Sequence, residues 1–291
     1  MLAWLFPLLT LLAPQNRPQD NKPEPDHKNV SYGPHARNVF DLWKAKSDNP
    51  TPLVIFIHGG GFRAGSKEQV GGALVRGLLA EGISVASINY RLTDVAPFPA
   101  PMHDGARAVQ FLRSKAAEYN LDPKRFAATG GSAGAGISLW LAFHDDLAKA
   151  DAEDPVLRES TRLTCALPTN GQTSYDPRFI KKHIGGRAHE HPALGPFWGL
   201  KPDELETEKA YKIFEECSPI AHLTKDDPPV LLTYGGKDEP SDTKPGAGIH
   251  NEKFGLVLKD EMQKLGIECE VKVGGGAARG QIEFFVKQLK K

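Results

Sequence analysis

The sequence predicts an α/β domain, a mainly parallel sheet with helices on both faces. Three observations predict it. Short apolar runs rich in β-branched residues alternate with stretches whose apolar residues recur every three or four positions. The 29 Gly and 23 Pro supply the many tight turns that such alternation needs. Hydrophobic residues make up 40% and charged residues 25% of the 291, an ordinary globular mix that can bury a core without disulfide or metal staples.

The elements follow in order. Leu53 to Ile57 (LVIFI) is apolar, β-branched and followed by glycines, so it reads as a buried strand. Val70 to Leu79 has helical spacing and stops at Glu81-Gly82. Ile83 to Tyr90 is the next strand. Met102 to Tyr119 carries Ala106, Val109, Leu112 and Ala116 on one helical face. Phe126 to Thr129 is a short strand, and Ala135 to Leu147 an apolar helix. Leu163 to Leu167 and Val230 to Tyr234 are further strands. Glu252 to Leu265 is an amphipathic helix, Glu268 to Val273 a last strand and Ile282 to Leu289 a last helix. Pro177 to Lys212 breaks the alternation, and its Gly, Pro and His content suggests an irregular cap over the sheet edge. In such sheets ligands sit at the carboxyl ends of the strands.

The N-terminus reads differently. Met1 to Leu12 (MLAWLFPLLTLL) is too short to span a bilayer, which takes about 20 residues. Its length suits the apolar centre of a secretory signal; a hydrophobic strand or an over-long gene start is the alternative. The expected organisation is a signal peptide over 1–14, a disordered, Pro-rich linker over 15–31 and a folded domain over 32–291, with the cap at about 175–215. The expected location is therefore periplasmic or extracellular.

Charge and cysteine content exclude other classes. Thirty-six Lys and Arg balance 36 Asp and Glu, without the basic excess of a nucleic-acid protein. Cys165, Cys217 and Cys269 lie far apart and form no CxxC pair. Cys165, in a strand, is expected to be buried and inert.

Two glycine-rich motifs carry chemistry. Gly130-Gly131-Ser132-Ala133-Gly134 fits G-x-S-x-G between a predicted strand and a predicted helix. Small neighbours allow a turn sharp enough to project the serine hydroxyl, and the helix N-terminus places its dipole nearby. His58-Gly59-Gly60-Gly61 follows the strand LVIFI and frees backbone N–H groups to face an oxyanion. A phosphate loop would need G-K-[ST] or G-x-G-x-x-G, and neither is present. A structural glycine turn loses weight because the two motifs stand about 70 residues apart in the expected order.

With both motifs in view, the chain resembles the α/β-hydrolase family, in the esterase and lipase branch similar to hormone-sensitive lipase and to exported sugar-ester esterases. The resemblance runs from about Tyr32 to the C-terminus. Ile88-Asn89-Tyr90-Arg91-Leu92, Phe98-Pro99-Ala100 ahead of Asp104, and Ser218-Pro219-Ile220 before Asp227-Pro228-Pro229 also match. It implies Ser132 as nucleophile, Asp238 as the acid after VLLTYGGKD, and the amides of Gly60, Gly61 and Ala133 as oxyanion donors. His58 and Gly59 would position that loop.

The base does not follow the family pattern. A His-Gly pair is expected after the last strand, but Gly274 to Gly280 (GGGAARG) has Arg279 there. Arginine stays protonated and cannot act as a general base. His250 alone among the histidines follows Asp238, which keeps the hydrolase order Ser132, Asp238, His250. It would reach Ser132 from a shifted loop; a substrate-contacting or surface histidine is the other reading. His103 reads as a cap or surface residue, and His144 lies in a helix near two aspartates. His183, His189 and His191 cluster in the cap, with no carboxylate pattern to make them a metal site. Gln172 and Thr173 follow a strand and are candidate pocket residues.

The expected activity is that of a serine carboxylesterase needing no metal or organic cofactor. Its expected partner is a small-molecule ester, with acylated sugars among those the resemblance implies, and neither nucleic acid nor a membrane span. The alternatives are a catalytically impaired ligand-binding protein of the same fold, motivated by the missing histidine, and a peptidase.

Overall fold

The computed structural model describes residues 21–274 and 278–291. The signal peptide expected over 1–14 therefore lies outside the described residues. One sheet forms from β1 (His27–Ser31), β2 (Val39–Trp43), β3 (Thr51–Ile57), β4 (Ser84–Ile88), β5 (Leu121–Gly131), β6 (Cys165–Thr169), β7 (Val230–Tyr234) and β8 (Cys269–Val273). Its order is β1-β2-β4-β3-β5-β6-β7-β8. The pairings of β2 with β1 and with β4 are antiparallel, and the rest are parallel.

The helices are α1 (Gly72–Ala80), α2 (Ala100–Ser114), α3 (Ala116–Tyr119), α4 (Ala133–Phe143), α5 (Pro177–His183), α6 (Leu194–Trp198), α7 (Glu208–Cys217), α8 (Lys253–Lys264) and α9 (Ala278–Leu289). Strand side chains alternate in direction, so an apolar run feeds both faces of the sheet. On β3, Leu53, Ile55 and Ile57 join a core with α2, α4 and α8. Val54 points the other way, into a second core under α1 and α9. Each fully buried side chain of this kind contributes about 1.5–3 kcal/mol, which is why the continuous run LVIFI ends up central. Cys165, Cys217 and Cys269 are free and buried. Among the described residues, no helix is long and apolar enough to cross a membrane.

Besides shifts in the ends of elements, of which the start of β5 at Leu121 is the largest, the structure departs from the sequence reading at four places. The linker expected over 15–31 is not disordered throughout: His27–Ser31 form the edge strand β1, and Pro23 O accepts the Trp43 indole N–H at 2.7 Å. β2 has no counterpart in the sequence reading, because Asp41 interrupts its apolar run. The Asp41 carboxylate is buried against Lys67 Nζ at 2.7 Å, which removes the cost of an unpaired charge there. The long helix Met102 to Tyr119 divides at Lys115, and α3 ends where Asn120 turns left-handed at φ 57°. The cap is not irregular but largely built of short helices. Asp176 caps α5 by accepting from Arg178 N–H, and Thr207 caps α7 by accepting from Ala210 N–H.

Candidate active site

β5 delivers Ser132 to the carboxyl edge of the sheet. Its backbone is held at φ 53°, ψ −116°, with its N–H bonded to Thr169 O at 2.9 Å. A non-glycine residue at positive φ is strained, so the surrounding packing must impose the turn. Gly134 shows how: a Cβ there would lie 2.0 Å from Ile57 O, so only glycine lets α4 start this close to β3. Ala133 is the first residue of α4, where a backbone N–H has no intrahelical partner.

The loop after β3 supplies the facing wall. Gly60 has φ +115°, and a Cβ there would meet Ala64 O at 2.2 Å. Gly61 and Ala133 line one small cavity together with Ser132 and His250. His58 is fully buried and holds the loop: its ring stacks on Tyr90 at 4.3 Å, and Nδ1 bonds Gly59 O at 2.8 Å. Arg37 donates from Nη2 to His58 Nε2 at 3.1 Å and to Gly65 O at 2.9 Å. A guanidinium can only donate, so Nε2 carries the lone pair and Nδ1 the proton. Arg91 and Asp104 pair at 2.6 Å and tie the Tyr90 segment to α2.

Burial pushes the His58 pKa down to about 4 from its ordinary 6.5; the Gly59 hydrogen bond opposes that shift and the Arg37 charge adds to it. Between those values the unfolded chain binds the proton and the folded chain does not. Stability present above pH 6.5 is therefore lost as pH falls, by up to about 3 kcal/mol at pH 4 from this group. Urea midpoints of wild type and His58→Asn between pH 7 and pH 4 check this. The wild type should show the steeper loss, and parallel curves would refute it.

Asp238 and His250 come together on the long loop after β7. Asp238 Oδ1 accepts Gly248 N–H at 2.9 Å and Oδ2 accepts His250 N–H at 2.6 Å. Asn251 Nδ2 donates to Asp238 O at 2.9 Å. The carboxylate thus fixes the backbone of the histidine loop, while His250 Nδ1 stands 3.6 Å from Oδ2. On its other side, His250 Nε2 lies 2.8 Å from Ser132 Oγ. Burial pushes the His250 pKa below its ordinary value, and the charge of Asp238 opposes that shift. The imidazole is accordingly neutral at neutral pH, as a proton acceptor must be. Arg279 stands apart, an exposed residue in the first turn of α9 paired with Glu283 at 3.0 Å.

The cavity over Ser132 has a volume of about 20 Å3 and is walled by Phe62, Tyr175, Leu194 and Ile249. Gln172 lines it, whereas Thr173 is buried behind it, bonded to Phe254 O at 3.0 Å. Of the cap histidines, His191 lines the cavity, and its pKa is lowered by burial first and then by the charge of His250. His183 packs on Phe179 instead, so the cap cluster does not converge. Sequence reasoning missed Arg37 and the place of His191. No local pattern marks either, because their partners lie in distant segments of the chain.

The profile of the BD-FAE family matches residues 40–247. The chain belongs to the BD-FAE family. Its members' branch is that of the α/β-hydrolase esterases and lipases. Esterase LipC of Mycobacterium tuberculosis is 28% identical to this BD-FAE chain over 220 residues, covering 72% of the chain and 51% of LipC. The chain thus spans about half the length of the curated relatives it matches. A truncated carbohydrate esterase from gut microbiota superposes with TM-score 0.66 at 22% identity, over 91% of this chain and 96% of that one. A thermophilic esterase from Thermogutta terrifontis gives TM-score 0.65 at 21% identity, over 91% and 94%. Both likenesses reflect the α/β-hydrolase fold shared by this BD-FAE family member.

Proposed function

We propose that the chain is a serine carboxylesterase that cleaves short-acyl esters through an acyl-enzyme on Ser132. The observation that carries this reading is the 2.8 Å contact between Ser132 Oγ and His250 Nε2, within the range of a working nucleophile–base pair. Ser132 Oγ attacks the ester carbonyl while His250 Nε2 takes its proton. The amides of Gly60, Gly61 and Ala133 bind the oxyanion; losing one such donor typically costs about 100- to 1000-fold in rate. His250 returns the proton to the departing alcohol, and water, deprotonated by the same imidazole, then releases the acid. Asp238 holds His250 by its backbone and favours the imidazolium that forms.

The narrow cavity supports an acetyl-sized acyl group. A larger groove of about 840 Å3 shares His191 and Leu194 with it and would take the alcohol side. Its lining mixes apolar Trp198 and Leu200 with Lys181 and Glu190, a combination that suits an acylated sugar. The similar carbohydrate esterase from gut microbiota is in keeping with that substrate class. Export completes the reading and rests on the apolar run Met1 to Leu12. The ligand-binding alternative rests on the missing histidine after β8, and His250 offers a base from another loop.

Turnover of p-nitrophenyl acetate, butyrate and octanoate tests the proposal. Rates should fall with acyl length, and a fluorophosphonate should label one serine per chain. The acid limb of the rate profile should lie below pH 6.5, because His250 must be neutral and its pKa is lowered. Absence of both turnover and labelling in folded protein would overturn it.

A further inference from the structure

The end of α4 opposite Ser132 carries a second cluster. His144 caps its C-terminus, Glu216 lies in the last turn of α7, and His222 ends the short 3-10 helix Pro219–His222. One ligating atom from each lies within 4.8 Å of the other two. The two imidazole rings are 4.6 Å apart. Eleven residues of α4 separate this point from the nucleophile, roughly 16 Å at 1.5 Å per residue.

The hydrogen bonds assign the ring nitrogens. His144 Nδ1 faces Asp145 O at 2.9 Å, and His222 Nε2 faces Glu216 O at 2.8 Å. A carbonyl can only accept, so each of these nitrogens carries the proton. In the neutral rings, His144 Nε2 and His222 Nδ1 then present lone pairs. His144 Nε2 nevertheless stands 3.1 Å from a Glu216 carboxylate oxygen. A carboxylate, like a carbonyl, only accepts, so this contact needs a positive charge at His144 Nε2, supplied by a proton or by a bound metal ion. Imidazoles that bind metal typically donate their other N–H to a backbone carbonyl, as both rings do here. The C-terminal ends of α4 and α7 add the negative side of their dipoles.

We propose that His144, Glu216 and His222 form a zinc site that ties the last cap helix to the helix bearing the nucleophile. Two imidazoles and one carboxylate suit zinc, with water at the fourth position. Tetrahedral binding at about 2.0–2.1 Å brings ligand atoms to about 3.3 Å apart. His144 Nε2 and the Glu216 carboxylate already stand at about that spacing, so binding asks only that His222 and the exposed Glu216 side chain draw together. The site is structural and departs from the sequence reading, which assigned no metal.

The test uses the full chain stripped with EDTA and titrated with Zn2+ by calorimetry and by competition with a chromogenic chelator. One ion should bind per chain, and Tm should rise by roughly 5 °C at zinc about 100 times Kd. Glu216→Gln and His222→Asn should each weaken binding by more than about 10-fold. Neither should change metal-free p-nitrophenyl acetate turnover. Two results overturn the proposal. If no stoichiometric binding occurs up to millimolar zinc, His144 and Glu216 form only an imidazolium–carboxylate pair. If binding is unchanged in both variants, the ion sits elsewhere, and inhibition of turnover would point to His191 and His250.

Discussion

Ser132→Ala is expected to lower kcat for p-nitrophenyl acetate by at least about 10,000-fold, leaving only the rate that binding and the oxyanion loop provide. Its fold should be intact, because the turn is imposed by glycines and not by the hydroxyl. Alanine at φ 53° carries the same backbone strain as serine, so Tm should stay within a few degrees. Fluorophosphonate labelling should vanish in the same variant. Activity retained within about 10-fold would remove Ser132 as nucleophile, since no rearrangement of a lone hydroxyl-free elbow restores an acyl-enzyme there.

That expectation was legible in the sequence because the elbow is a local device. Gly130 and Gly134 mark close backbone approach, and the flanking strand and helix patterns place the turn at a sheet edge. The buried central strands β3, β4 and β7 were legible for a related reason, being short and largely apolar runs, and β5 was legible only over its buried half, Phe126–Thr129, because Asp122, Lys124 and Arg125 break the pattern before it. What lay outside local pattern was lost. β1 is largely solvent-facing and polar, so no hydrophobic period marks it. β2 hides behind Asp41, whose burial depends on Lys67, 26 residues away. Arg37 belongs to the site only through its contact with His58, and His191 only through the folding of the cap. The short cap helices are punctuated by Gly and Pro that read as loop, although Asp176-Pro177 and Thr207 carried ordinary start signals.

His250 is the intermediate case, a candidate by chain order whose position only the fold supplies. His250→Ala is expected to cost about as much as Ser132→Ala, about 10,000-fold or more in kcat. The double variant should be no slower than either single one, because nucleophile and base act as a unit. Arg279→Ala, at the position where relatives' histidine was expected, should leave the rate within about twofold, since its side chain is exposed and paired with Glu283. Asp238→Asn separates the two jobs of the carboxylate. An amide puts an NH2 group against one of the N–H donors of Gly248 and His250, so the loop loses one anchor. It also removes the charge that raises the His250 pKa, so the acid limb should move to lower pH while kcat falls by about 100- to 10,000-fold. A fall in kcat without that movement would mean that Asp238 acts through the loop backbone alone. Full activity in His250→Ala with loss in Arg279→Ala would reject the shifted base altogether, because a guanidinium cannot take the serine proton and a different group would have to be found beside it.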